Sequence, residues 1–138
     1  MVVALAAATI VAVPSVREPV LRAAGWALVV NEPVAPADII VVSLDSGGAG
    51  ALEAALPPWC DQHRFQSIVF VVARDHSRRL RRVLDRVMKG HPTRVTVRPE
   101  RYSSFDPDRW WETRSGVRTE IVEFQKLVLE VVLHPISF

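Results

Sequence analysis

Runs of apolar residues divide the chain into strands and helices, and the clearest run lies near the middle. Residues 68–72 read IVFVV and are apolar at every position, as expected for a strand buried on both faces of a parallel sheet. From Leu80 to Met88 the apolar residues instead recur at helical spacing, with arginines between them. The sequence therefore predicts a central parallel strand that passes directly into an amphipathic helix.

Two further strands and one long helix are predicted around this unit. Residues 38–44 are predicted to form a strand, because Ile39 to Val42 are apolar without alternation, whereas residues 94–98 alternate and are flanked by charge, which is typical of a sheet edge. Asp106 and Pro107 form a helix start, and Ser115-Gly116 restarts the helix. An apolar stripe follows and is interpreted as core: Val117, Ile121, Phe124, Val128, Val131 and Val132. The predicted class is α/β, with a short, mostly parallel sheet of about three strands flanked by helices.

The N-terminal region is strongly apolar. Residues 1–13 carry no charge, but they lack the positive start of a signal peptide, and Pro14 ends the run well short of the ~20 residues that span a bilayer. We interpret residues 1–30 as two helical pieces joined at Pro14 that associate with a membrane. The alternative is a cytoplasmic protein in which this segment packs on the sheet. Residues 31–138 form one α/β domain.

Charge is distributed unevenly along the 138 residues. The net charge is +2, yet residues 74–101 hold ten Lys or Arg against three Asp or Glu, which leaves about −5 for the rest. Most of these arginines are interpreted as a solvated helix face, and a few as ligands for a phosphate or carboxylate. No aromatic interleaving or motif indicates a nucleic-acid partner. Glu123 and Lys126 are interpreted as a solvated pair on one helix, and Cys60, the only cysteine, as a packed thiol.

Polar residues follow the central strand where ligands bind in open α/β sheets, just outside the carboxyl ends of the strands. Asp75, His76 and Arg79 occupy this position. His76 is a candidate general acid or base, because the ordinary pKa of histidine, about 6.5, allows proton transfer near neutrality. Arg79 lies one turn further on and would clamp an anion with its guanidinium fork, and Asp75 is a candidate ligand-binding residue.

A glycine-rich turn follows the first predicted strand. Asp45 would orient His76 or hold a divalent ion, and the backbone amides of Gly47 and Gly48 would cradle a phosphate. No Gly-Lys-Ser/Thr follows, and Glu53 stands where a dinucleotide fingerprint needs its third glycine. Considered without the rest of the chain, the turn is simply a strand-to-helix connection. We therefore assign no metal site, and the sequence identifies no cofactor.

With these residues in view, the chain resembles the YdcF-like family, also called the DUF218 domain. The family pattern joins an N-terminal apolar segment, a strand that opens with Ala-Asp and ends in a Gly-rich turn, a strand that leads to a Ser-x-x-His-x-x-Arg type motif, and a Trp-containing helix with Glu and Lys. The corresponding positions here are Ala37-Asp38 through Gly48, then Asp75-His76-Ser77-Arg78-Arg79, and Trp110-Trp111 with Glu123 and Lys126. Family members carry another βαβ portion before the His strand, but here Gly50 is only seventeen residues from Ser67. The chain is thus similar to a shortened member.

The resemblance implies a Rossmann-like, three-layer domain, often membrane-anchored and linked to bacterial cell-envelope upkeep. On this basis we expect the binding or processing of a phosphorylated or other anionic small molecule at the strand ends. Two alternatives stay open: a non-catalytic module for a nucleotide-like ligand, and a structural fragment without activity. Whether the chain is an enzyme, and its oligomeric state, are not predicted.

Overall fold

A computed structural model describes residues 13–43 and 49–135. The elements in these ranges are α1 (Pro14–Ala27), β1 (Ile39–Ser43), α2 (Ala49–His63), β2 (Ser67–Val72), α3 (Ser77–Val87), β3 (Arg94–Pro99) and α4 (Arg114–Leu133). Short 3₁₀ turns at Arg74–His76 and Trp110–Glu112 precede α3 and α4. Residues 1–12, the most apolar part of the predicted membrane segment 1–30, lie outside the described residues. Among the described residues, no helix is long and apolar enough to cross a membrane.

The described strands form one parallel sheet in the order β1-β2-β3. Ile39 pairs with Ile68, and Ser67 pairs with Arg94, so β2 is central and β3 lies at an edge, as predicted. Helices flank this sheet, and the chain is an α/β protein of the Rossmann-like, three-layer class. The fold-class prediction is confirmed.

Asp38 fixes the register at the amino end of the sheet. Its Oδ2 accepts hydrogen bonds from the amides of Gln66 (2.7 Å) and Ser67 (2.9 Å) and from the Ser67 hydroxyl (3.3 Å). The two amides hold the pKa of Asp38 below its ordinary value. The Ala-Asp pair of the family pattern therefore has a structural role here, at the end of the sheet opposite to the strand ends where ligands are expected.

Apolar side chains from the sheet, α2 and α3 form one core. Leu56 and Cys60 of α2 pack with Leu84 and Met88 of α3 on the inner face of the strands. Because parallel strands in the order β1-β2-β3 are joined by right-handed crossovers, both helices lie on the same face. Cys60 is 1% exposed, and burial raises the pKa of its thiol, so the prediction of a packed thiol is confirmed.

The opposite face of β1 is open. Ile40 and Val42 point away from the core and are 63% and 60% exposed.

The outer edge of β3 is covered by residue Glu32. The Glu32 amide donates to Val97 O (3.3 Å), and Glu32 Oε2 accepts from the Val97 amide (2.7 Å). Arg81 extends from α3 to the same carboxylate.

Helix α1 packs against the segment that leads to α4. The Trp110 indole donates to Leu21 O at 2.7 Å, and Trp26 donates to Asp108 Oδ1 at 3.0 Å. A Cβ on Gly25 would lie 2.4 Å from Pro107 O, so only glycine allows the two backbones to approach this closely.

Helix α4 begins at Arg114, beside the restart predicted at Ser115-Gly116. Thr113 is the N-cap, and its Oγ1 accepts from the Gly116 amide at 3.0 Å. Asp106 caps no helix; its carboxylate accepts from the Asp108 amide at 2.9 Å and closes a turn. The prediction that a helix starts at Asp106 is therefore wrong, because a side chain suited to capping serves an isolated turn equally well.

The prediction that the apolar stripe of α4 is core is also wrong. Five of its six residues, all except Val117, are between 43% and 68% exposed. The buried positions are instead Glu120 and Glu123, with Leu127 and Glu130 half-buried. The acidic side of α4 is buried because α4 packs on α3, and the residues of α3 that face α4 are arginines.

The arginines of α3 are not a solvated face, contrary to the sequence interpretation. Arg79 binds Glu123, and Arg86 contacts Glu130 of α4. On another side of α3, Arg78 donates to Ala27 O and Val29 O at 3.1 Å each. These side chains therefore connect α3 to its neighbours, because carboxylates and carbonyls of other elements lie within reach.

Candidate functional site

The carboxyl end of β2 leads into a turn that is held rigidly. Ser77, the first residue of α3, is fully buried, and its hydroxyl accepts from the Val30 amide (2.8 Å) and lies 2.8 Å from Arg74 O. Asp75, His76 and Arg79 are fixed around this anchor. The structure thus places all three predicted residues at the strand end.

Glu123 of α4 lies against the His76 ring. His76 Nδ1 is 2.9 Å from Glu123 Oε2 and 3.4 Å from Asp75 Oδ2. These distances are those of ion pairs when the imidazole is protonated, although the angles at Nδ1 fall outside hydrogen-bond geometry. Two carboxylates therefore face one nitrogen of the ring.

Glu123 is the centre of a charged cluster. Arg79 donates from Nη2 (3.3 Å) and Nε (3.4 Å) to Oε2, and Lys126 donates to Oε1 at 2.6 Å. The Glu123 side chain is only 4% exposed. Burial opposes its ionisation, but the contacts from His76 and Lys126 and the charges of His76 and Arg79 outweigh burial and lower the pKa of Glu123 to about 2. The interpretation of Glu123 and Lys126 as a solvated pair is wrong for the carboxylate, because the helix turns it inward onto α3.

The other nitrogen of the His76 ring is open. No hydrogen bond or ion pair from a described residue reaches Nε2, and the side chain is 24% exposed. Arg79 and Asp75 are 19% and 12% exposed, whereas Lys126 is 45% exposed. A small molecule approaching this end of the sheet would therefore meet an imidazole nitrogen with two cationic side chains beside it.

Glu120 is a site residue that sequence reasoning missed. It is 4% exposed, and its Oε2 has no hydrogen-bond partner among the described residues. Burial raises the pKa of Glu120 to about 7. It lies one helical turn before Glu123, on the same buried face of α4. The one signal for this face was the recurrence of arginines at helical spacing on α3, where Arg79 contacts Glu123 and Arg86 contacts Glu130 of α4.

Three predicted site residues, Asp45, Gly47 and Gly48, lie outside the described residues. Within the described part, no group of three or more His, Cys, Asp or Glu side chains is arranged to hold a metal ion. Trp110, which belongs to the Trp-containing stretch of the family pattern, lies against α1.

Two surface grooves lie away from the cluster. One, of about 570 Å³, lies between the C-terminal ends of α3 and α4 and includes Arg82, Lys89 and His134. The other, of about 630 Å³, lies on the outer side of α4 around Trp111, Val117 and Ile121. We place the candidate site at the His76 cluster because His76 lies at the carboxyl end of β2, where ligands bind in open α/β sheets, and contacts the buried carboxylate of Glu123.

Comparisons of the chain with protein-family models, with curated proteins and with solved structures give no match. The resemblance to the YdcF-like family stays a prediction that rests on the motif residues. The chemistry is therefore argued from the geometry of His76, Arg79 and Glu123.

Proposed function

We propose that the chain is a YdcF-like α/β domain that binds a phosphorylated or other anionic small molecule at the carboxyl end of β2 and transfers a proton to or from it through His76. The proposal rests on one observation, which is that the two nitrogens of the His76 imidazole have different surroundings. Nδ1 lies 2.9 Å from the buried carboxylate of Glu123, while no described residue bonds to Nε2. A ring with a carboxylate beside one nitrogen, and with no bond from a described residue at the other, is suited to general acid–base catalysis.

Charge supports an anionic ligand. With His76 protonated, the cluster contains three cationic groups, on His76, Arg79 and Lys126, against the carboxylates of Asp75 and Glu123. Arg79 uses Nε and Nη2 for Glu123, which leaves its Nη1 for a ligand, and Lys126 uses one of its donors. Phosphate or carboxylate oxygens match these remaining donors.

Glu123 would position His76 throughout the reaction. Because its pKa is about 2, it stays ionised at any pH near neutrality. An ionised carboxylate at Nδ1 orients the ring and stabilises the imidazolium that forms when Nε2 accepts a proton. Glu123 would thus take the orienting role that the sequence analysis gave to Asp45.

The test combines ligand-dependent melting with turnover of a generic phosphomonoester. We expect phenyl phosphate to raise the melting midpoint of the full chain, because a ligand that binds the native state stabilises it by mass action. Arg79→Ala should abolish the rise, and Arg94→Ala, at an exposed arginine on β3, is the matched control that should keep it. His76→Gln should reduce turnover of p-nitrophenyl phosphate about 100-fold or more.

Each alternative has its own outcome. A midpoint rise without turnover in the unmodified chain would identify a binding module, in agreement with the non-catalytic alternative. No rise with phenyl phosphate, inorganic phosphate or a nucleoside monophosphate would contradict the proposal and favour the structural fragment. A rise that survives in Arg79→Ala would show that the anion binds elsewhere.

Membrane association and a role in cell-envelope upkeep belong to the same proposal. Their support is the apolar sequence of residues 1–30 and the resemblance to the family. Recovery of the full chain in the membrane fraction of expressing bacteria, and its release by deletion of residues 1–12, would support this part. Recovery of both forms in the soluble fraction would favour the cytoplasmic alternative.

A further inference from the structure

Helix α4 presents an apolar face to solvent along most of its length. Of its described side chains, eight large apolar ones are between 37% and 68% exposed: Ile121, Val122, Phe124, Val128, Leu129, Val131, Val132 and Leu133. This set is called the α4 face. Monomeric proteins rarely expose a contiguous apolar patch of more than a few hundred Å².

The spacing on the α4 face is that of a helix–helix seam. Ile121, Phe124, Val128 and Val131 follow one another at intervals of three, four and three residues, as the a and d positions of a heptad do. Such side chains insert between those of a facing helix. The pattern therefore fits a helical partner better than a flat surface.

The α4 face is nearly free of charge. Between Ile121 and Leu133, the described exposed side chains include one charged group, Lys126, which forms an ion pair with Glu123. Two copies of this face can consequently meet without opposing like charges or burying an unpaired ion.

We propose that the α4 face is the interface of a symmetric dimer in which the α4 helices of two copies of this chain pack antiparallel. A stable interface buries about 800 Å² per partner. A helix of 20 residues is ~30 Å long, and its eight half-exposed side chains with the adjoining groove provide a surface of that order. This proposal does not depend on the proposed function.

The antiparallel direction follows from the ends of the helix. Arg114 and Arg118 are exposed near the N-terminus of α4, so a parallel pair would place these cations side by side. In an antiparallel pair, Leu133 of one copy instead reaches the groove of about 630 Å³ beside Val117 of the other. That groove is lined on one side by Trp111.

The experiment is sedimentation velocity of the full chain without detergent. We expect a concentration-dependent species of twice the chain mass of 15.4 kDa. Phe124→Glu should raise the dissociation constant about 100-fold or more, because it places a charge in the centre of the seam. Val132→Glu, at a position 68% exposed, should weaken the dimer with the least risk to folding, and Val34→Glu, 61% exposed in the linker before β1, is the matched control that should not.

A mixture of two variants tests the seam directly. In an antiparallel pair Phe124 of one copy lies near Val128 of the other, so Phe124→Glu mixed with Val128→Lys should restore the dimer that each variant lacks. A monomer at about 100 μM, or unchanged association of both Glu variants with unchanged circular dichroism, would overturn the proposal. Monomers that bind vesicles of neutral and anionic phospholipid through the α4 face would also overturn it and identify a membrane surface as the occupant.

Discussion

Glu120 and Glu123 are identical side chains, one turn apart on α4, in opposite electrostatic surroundings. Glu123 meets Arg79, Lys126 and the His76 ring, and its pKa falls to about 2. Glu120 is equally buried, its Oε2 has no partner, and its pKa rises to about 7. Ionised Glu123 therefore stabilises the fold, whereas loss of the proton from Glu120 destabilises it. The two effects develop in different pH ranges.

The signs follow from proton linkage. Glu123 ionises more readily in the folded chain, so its stabilisation is complete above pH ~4.5 and is lost as the pH falls toward 2. Glu120 holds its proton more tightly in the folded chain than in the unfolded one, so the folded state loses stability as the pH rises from ~4.5 through 7.

Glu120→Gln should stabilise the chain at pH 8 and leave it nearly unchanged at pH 4. The amide has no charge to bury, so the gain at pH 8 should be roughly 3 kcal/mol at most, from the pKa difference of the carboxyl between the two states. Urea unfolding at both pH values measures it. An equal effect at pH 4 and pH 8 would mean that Glu120 ionises normally.

The sequence predicted where His76 and Arg79 lie but not what they touch. A strand that passes directly into a helix fixes the position of the residues at its end. The contact of His76 with Glu123 joins residues 47 positions apart, and it depends on the angle at which α4 crosses α3. Helical spacing in the sequence predicts only that Glu123 lies near Lys126 on α4. The contact with His76 depends on how α4 packs on α3.

Helix α4 shows that an apolar face need not be a buried face. Periodicity identified its two faces correctly, since the stripe and the acids do lie on different sides. It could not show which side meets the rest of the chain, because that depends on α3. With Arg79 and Arg86 directed at α4, burying the stripe there would have left charges without partners.

The start of α3 depends on one hydroxyl. Ser77→Ala should cost about 1–3 kcal/mol, because it leaves the partly buried Val30 amide without its acceptor. Chemical denaturation measures the loss. Ser115→Ala is the control: its exposed hydroxyl bonds to Thr113, and we expect a change within about 0.5 kcal/mol. Equal effects from the two substitutions would contradict the anchoring role of Ser77.

The whole sheet could be predicted because each of its strands is marked in the sequence. Continuous apolar runs gave β1 and β2, and alternation gave the edge strand β3. The docking of α1 could not be predicted in this way. Its contacts with Trp110 and Asp108 span 89 and 82 residues, and they depend on a close backbone approach that leaves no periodic pattern.

The close approach of the α1 backbone to Pro107 predicts the effect of adding a single methyl group at Gly25. In an isolated helix Gly25→Ala would be favourable by up to about 1 kcal/mol. Here the new Cβ would lie 2.4 Å from Pro107 O and 2.7 Å from the Trp110 ring, and we expect a net loss of about 1–3 kcal/mol. Thermal unfolding followed by near-ultraviolet circular dichroism of the tryptophans measures the change. A raised midpoint would mean that α1 does not pack where the structure places it.

The long separation of α1 from its partners has a consequence during synthesis. Each strand pair joins residues fewer than 30 positions apart, but Leu21 of α1 contacts Trp110, which is synthesised 89 residues later. At about 5–20 residues per second, the ribosome needs roughly 4–18 seconds to supply the missing 89 residues. The first described helix to emerge therefore waits longest for its partners, and until then its apolar side chains are available to chaperones or to a membrane.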